Sequence, residues 1–254
     1  MIDRITPDTT KADPKKADPT RTGAQALDID LSRMAGVVET QLADVVVALE
    51  RRDLAAAARV MEADARVDEA QATIERKAIE ALSEQRAVRA RADERRVREI
   101  VMSMKVSGEL ERVGDLAKNV AKRMHVIAQE SDARISFGLI NMGRAALRQL
   151  TDVLNAFEAK NVEAAVAVWG GDDDLDELYN SVFRETLLAM MDDPTRINAC
   201  THMTFIAKNF ERVGDHATNI AEALHYFVTG APLAIDRPKG DETSTTAVAA
   251  PSPG

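Results

Sequence analysis

The segment ELERVGDLAKNV at residues 109–120 returns one hundred positions later as NFERVGDHATNI at 209–220. Around the first copy, Val106, Leu110, Val113, Ala117, Val120, Met124 and Ile127 follow a 4-3-4-3-4-3 spacing. The second copy repeats that spacing with Ile206, Phe210, Val213, Ala217, Ile220, Leu224 and Phe227. Such a stripe is the packed face of a helix lying nearly parallel or antiparallel to its neighbours. Upstream the offset becomes 108, pairing Met34 with Met142, Leu42 with Leu150, Val45 with Val153 and Asp53 with Asn161. The chain is therefore one three-helix unit made twice, with extra residues in the second connector of the first half.

No segment alternates with period two over a useful length, so strands are not expected. Aromatic residues are 4% of the chain while hydrophobic residues are 45%, which leaves Ala, Val, Leu and Met to fill a helix-on-helix core. The spacing predicts an all-α fold of two tandem three-helix bundles related by an internal repeat. Six helices are expected near 27–50, 53–85, 91–130, 133–159, 161–190 and 194–229. Asp53, Asp132 and Asn161 are the expected N-caps, and Asp193 with Pro194 opens the last helix. The domain organisation follows: a tail over 1–26, bundles over 27–130 and 131–230, and a tail over 231–254. The tails are rich in Thr, Pro, Asp and Lys and are expected to be disordered.

The formal net charge is −9, which argues against a broad nucleic-acid surface and favours cationic partners or metal ions. Cys200 is the single cysteine, so disulfide frameworks and thiolate metal sites are excluded. The N-terminal residues lack the apolar run of a signal peptide, and no stretch has the length of a membrane span. A cytoplasmic protein is expected.

Four carboxylate pairs stand out. At about 100° per residue, Glu111 and Asp115 lie roughly 150–190° from the apolar seam, with Asn119 one turn on. Glu211, Asp215 and Asn219 do the same in the second copy. The second helix of each half adds Asp64 with Asp68, and Asp172 with Asp176. Like charges at i,i+4 cost a helix a few tenths of a kcal/mol each. Two readings follow: a solvated acidic face, softened where Lys118 can reach Asp115, or a carboxylate platform for cations. Oxygen ligands suit hard ions such as magnesium, calcium or manganese, as well as iron, with zinc also admitted. The glycines Gly114 and Gly214 would permit close approach of a helix or a ligand.

Other constellations are weaker. A di-iron bundle needs two Glu-x-x-His motifs, and only Glu222 with His225 supplies one. The arginine-rich stretch 86–98 reads as a solvated, salt-bridged run, with an anionic partner as the minority reading. Trp169, one turn before Asp172, reads as a groove cover. No phosphate loop or nucleophile–base pair is evident.

The repeated ERVGDLAKNVA (111–121) and ERVGDHATNIA (211–221), with DARVDEA (64–70) and DDDLDEL (172–178) on the second helices, resemble the PhoU family of phosphate-transport regulators. The resemblance covers about residues 27–229. It implies two similar bundles, often dimeric, binding metal at Asp64, Asp68, Glu111, Asp115, Asp172, Asp176, Glu211 and Asp215. The metal would be a divalent or trivalent ion: iron, zinc, manganese or magnesium. The resemblance also implies a cytoplasmic regulator rather than an enzyme. Its partners would be the ATPase subunit of a phosphate ABC transporter and a sensor histidine kinase, met through peripheral contact with membrane complexes. The implied function is restraint of phosphate uptake and of the phosphate-starvation response when phosphate is plentiful. An accessory protein of a low-affinity phosphate permease and a metal-dependent enzyme remain alternatives. The two tails and the arginine-rich insertion depart from the family pattern.

Overall fold

The computed structural model describes residues 19–87, 94–130, 135–171 and 173–233. Its helices are α1 (Pro19–Arg51), α2 (Leu54–Ala87), α3 (Glu94–Ile127), α4 (Phe137–Glu158), α5 (Val162–Gly170), α6 (Asp173–Asp192) and α7 (Ile197–Thr229). A 3-10 turn at Pro194–Arg196 leads into α7. There is no strand among the described residues. The fold is all-α, two three-helix units in tandem, with α5 and α6 together filling the place of the second helix in the second half.

Three boundaries differ from the sequence reading. Helix α1 starts at Pro19, so residues 19–26 are helical where a tail was expected; Pro at a first helical position loses no bond. Helix α4 starts at Phe137, capped by Ser136, whose Oγ accepts from the Leu139 N–H at 3.1 Å. Asp132, the expected cap, lies outside the described residues, as do 1–18 and 234–254 of the expected tails and 88–93 of the arginine-rich stretch. The expected continuous helix over 161–190 is broken at Gly170–Gly171, where two poor helix formers meet and the Gly171 N–H bonds back to the Val168 carbonyl at 3.2 Å.

The remaining corners repeat. Arg52 (φ 55°) and Lys160 (φ 50°) occupy the same repeat position in the left-handed region. The following N–H groups, of Asp53 and Asn161, each return to a carbonyl five residues back at 2.9 Å, Ala48 and Ala156 respectively. The Asp53 and Asn161 side chains then accept from Ala56 and Ala164 at 2.9 and 3.0 Å, as expected of N-caps. Asp193 caps the 3-10 turn through Thr195, with Pro194 at its first position.

The most extensive contact between any two helices is that of α3 with α7, and it joins the two halves. The pair is antiparallel: Glu109 meets His216 and Asn219, Arg123 meets His202, and Glu130 meets Asn198. In that register Val113 comes level with Val213, its own repeat partner. A local two-fold axis therefore passes through the centre of the repeated motif. Both seams are buried over their whole length. Helices α1 and α4 pack against each other and complete one apolar core that runs through both halves.

The glycines divide by what surrounds them. A Cβ on Gly114 would lie 3.1 Å from Gln41 Oε1 and 3.3 Å from Val67 Cγ1, so its bare backbone is what brings α1 and α2 this close to α3. A Cβ on Gly36 would meet nothing within 4 Å. Alanine gains up to about 1 kcal/mol over glycine in a helix interior. Gly36→Ala is therefore expected to raise stability by about 0.5–1 kcal/mol. Gly114→Ala is expected to lose that gain to crowding and to leave the protein no more stable than the parent. Urea unfolding of the two variants, at unchanged slope, measures the contrast.

Candidate functional site

The acidic residues were expected on solvent-facing sides of their helices. For three of them the structure corrects this: Asp64 (4% exposed), Asp176 (5%) and Glu211 (7%) are buried. The reason is that α3 packs on α1, α2 and α7, and α7 packs on α3, α4, α5 and α6, so the flanks beyond the seam are covered too. Asp68 and Asp115 remain exposed, while Glu111 and Asp215 are half-buried. Asp172 lies outside the described residues.

Seven of these acids gather in two clusters, one per half. In the first, Asp64 and Asp68 of α2 face Glu111 and Asp115 of α3 across the crossing at Gly114 and Val67. Lys118 donates to the Asp64 carboxylate, and its Nζ lies 3.6 Å from Asp115 Oδ1. Burial, reinforced by the Asp115, Asp68 and Asp64 charges, pushes the Glu111 carboxyl up from its ordinary value. In the second cluster Asp176 of α6 faces Glu211 and Asp215 of α7. Lys208 Nζ donates to Glu211 Oε1 at 2.8 Å and sits 4.9 Å from the centre of the Tyr179 ring. Burial raises the Glu211 carboxyl, with Asp215 and Asp176 adding to the effect against the Lys208 hydrogen bond. Glu211 Oε2 is buried without a hydrogen-bond partner.

All the donors are carboxylate oxygens, and both clusters carry more negative charge than their lysines cancel. In that respect they fit a hard cation. The side chains are not gathered round one point, however. Among the described residues no group of three His, Cys, Asp or Glu is placed to hold a metal ion. Lys118 and Lys208 each bring an ammonium group to one of the clusters.

Asn219 does not extend the acidic stripe. It is half-buried and donates to Glu109 Oε2 at 3.0 Å, beside His216 Nδ1 at 2.7 Å from the same oxygen. This node crosses from α3 to α7 and was missed in the sequence. The signal that could have found it is a break in the repeat, because Glu109 aligns with Asn209 and His216 with Leu116. Asn119, its repeat counterpart, stays exposed. Trp169 is buried and its Nε1–H donates to Glu222 Oε1 at 3.1 Å, which makes it the groove cover expected. His225 Nδ1 lies 3.0 Å from the Ala231 carbonyl and belongs to no metal-ligating group among the described residues.

The hydrogen bonds from His216 and Asn219, together with the charges of His216 and Arg112, hold the Glu109 carboxyl below its ordinary value of 4.5, outweighing its burial. A depressed folded-state value stabilises the fold above the ordinary value and loses that contribution as pH falls through the folded one. The Tm of the wild-type chain is therefore expected to fall more steeply below about pH 4.5 than that of Glu109→Gln. For Glu211 the sign reverses: a raised carboxyl withdraws stability as pH rises through its folded-state value. Glu211→Gln keeps an acceptor for Lys208 and removes the charge, so the metal-free variant is expected to melt higher than the wild type at neutral pH.

The PhoU domain pattern matches residues 31–124 and 139–224, one match in each half. A phosphate-specific transport system accessory protein PhoU homolog of Caulobacter vibrioides is 41% identical over 219 residues, covering 86% of this chain and 93% of that protein. The homolog from Rhizobium meliloti is 42% identical over 216 residues, covering 85% and 89%. The crystal structure of PhoU from Pseudomonas aeruginosa superposes with a TM-score of 0.77 at 29% identity, over 83% of this chain and 99% of that one. With both halves of the repeat matched, and relatives aligned along nearly their whole length, the chain belongs to the PhoU family.

Proposed function

We propose that this chain is an accessory regulator of phosphate uptake that restrains a high-affinity phosphate ABC transporter and its partner sensor histidine kinase when phosphate is plentiful. The observation that carries the reading is the extent of the similarity. It spans both bundles and 93% of a relative described as an accessory protein of a phosphate-specific transport system. A fragment shared among unrelated proteins would not align in this way. The molecule supports the reading in two further respects. Buried acids of the two clusters are engaged in packing and in charge pairing with lysines. No described helix is long and apolar enough to cross a membrane, which suits a peripheral cytoplasmic partner of membrane complexes.

Metal binding is part of the proposal. Asp64, Asp68, Glu111 and Asp115 would hold one divalent or trivalent ion, and Asp176, Glu211 and Asp215 together with Asp172 another. Such an ion supplies positive charge to a negative surface and enables it to meet an anionic partner. Self-association into a homodimer is also proposed; Phe137 and Leu188 are large apolar side chains left uncovered in the single chain.

Deletion of the gene tests the regulatory assignment. Transcription from phosphate-starvation promoters is expected to stay on in phosphate-rich medium and to be silenced again by the wild-type gene. A deletion strain that represses normally at high phosphate would overturn the assignment.

A further inference from the structure

The groove between α1 and α2 carries a charge that its repeat counterpart lacks. Two cavities of about 410 and 320 Å³ meet there at Asp44 and Arg59. Together they form a trough that follows α1 from Arg33 to Arg51, about 27 Å. Arg33, Arg51, Arg59 and Arg66 line it, against the acids Asp44 and Asp53. The Asp53 carboxylate is already engaged as a cap by the Ala56 N–H. Arg33 has one loose ion pair, 3.7 Å from Asp30. Arg51, Arg59 and Arg66 are exposed and make no hydrogen bond or ion pair among the described residues.

The fold does not require these arginines. At the offset of 108 their places in the second half are held by Asn141, Ala159, Ala167 and Asp174. The groove there is lined by Arg148 against Asp152, Asp174 and Glu177, so the sign of the charge is reversed. Gly36, on the wall of the first groove, is a second and independent observation. Glycine in a helix interior costs up to about 1 kcal/mol relative to alanine. A Cβ on Gly36 would meet nothing within 4 Å, so no contact within the described chain uses the gap it leaves. Val37 and Ala63, half-buried, and Val47, 43% exposed, give the trough an apolar floor.

Unpaired guanidinium groups call for an anionic partner, and the shape of the trough selects its class. A bilayer or a nucleic acid presents a broad anionic surface, which would also meet the acidic remainder of a chain of net charge −9. A single segment meets the trough alone. A straight trough between two helices, apolar along its floor and charged along its rims, fits a third helix. Guanidinium forks match carboxylates in geometry as well as in charge.

We propose that the α1–α2 groove is the docking site for an acidic amphipathic helix of a partner protein. The apolar stripe of that helix lies on Val37, Val47 and Ala63, and its carboxylates meet Arg33, Arg51, Arg59 and Arg66. The surface uses none of the clustered acids and needs no metal, and its test is separate from the phosphate response.

Fluorescence anisotropy of a labelled peptide, titrated with the full chain, tests this. The probe is about 18 residues long to match the trough, with leucines at i, i+3, i+4 and i+7 spacing and glutamates elsewhere. A peptide of the same composition in shuffled order is the control. The wild type is expected to bind the striped peptide about tenfold more tightly than the shuffled one. The double variant Arg59→Gln/Arg66→Gln is expected to lose about tenfold in affinity for the striped peptide. Gly36→Leu keeps every charge and fills the gap, and is expected to lose as much while melting no lower than the wild type. Arg148→Gln, in the counterpart groove, is expected to bind as the wild type does. Equal binding of the two peptides would overturn the proposal, as would striped-peptide binding unchanged in both the arginine and the Gly36 variants. Binding to phosphatidylglycerol vesicles, or self-association in sedimentation, that is lost in the arginine variant while the striped peptide fails to bind would overturn it too. Those results would give the groove to a membrane or to a second copy of the chain.

Discussion

The antiparallel packing of α3 on α7 determines where every other element can go. Because the seam of each helix is a copy of the other, the contact is self-complementary and brings Val113 level with Val213. A heterologous arrangement of two such units would leave one seam facing water. The two-fold arrangement buries both at once and leaves the flanks of the pair to be covered by α1 and α2 on one side and by α4, α5 and α6 on the other. Gly114 belongs to the same constraint, since a side chain there would hold α2 away from α3 and open the cluster that Asp64 and Glu111 form.

That geometry explains the charges. Acids at i,i+4 are tolerable on a solvated helix, but here close packing draws Asp64, Asp176 and Glu211 out of water. A buried carboxylate needs a partner, a proton or both. Lys118 is the partner of Asp64 and Lys208 that of Glu211, and the raised carboxyls of Glu111 and Glu211 mark where the compensation is incomplete. At Glu109 the compensation succeeds, because two donors from the other half of the molecule converge on one oxygen.

The helices and their order were legible because repetition doubled every signal. The 4-3 stripe, the Asp53 and Asn161 caps and the Asp193–Pro194 start were each readable from residue type and offset alone. Membership of the acidic clusters was legible as well, since phase alone singled out seven of the residues that the structure brings into two groups. Their burial was not. A helical-wheel angle gives direction from one seam and says nothing of how many neighbours a helix has, and α3 and α7 have neighbours on several sides. The break in the second half was also missed, because Gly171 satisfies the seam spacing while lacking the propensity to continue the helix. Lys208 and the Glu109 node escaped notice for the opposite reason: they have no counterpart in the other half, and a reading guided by the repeat passes over what the repeat lacks.

The break at Gly170–Gly171 gives the two halves different electrostatics at matching places. Asp68 sits in the interior of α2, where the backbone amides are engaged within the helix. Asp176, its repeat counterpart, sits in the first turn of α6, near the positive end of the helix dipole. A helix terminus thus lies beside the acids of α6, where the acids of α2 lie within an unbroken helix. Partial charge from a backbone end cannot be acetylated, titrated or turned out to solvent, so the second half adds a fixed contribution to the adjustable one of Lys208, while the first half relies on side chains.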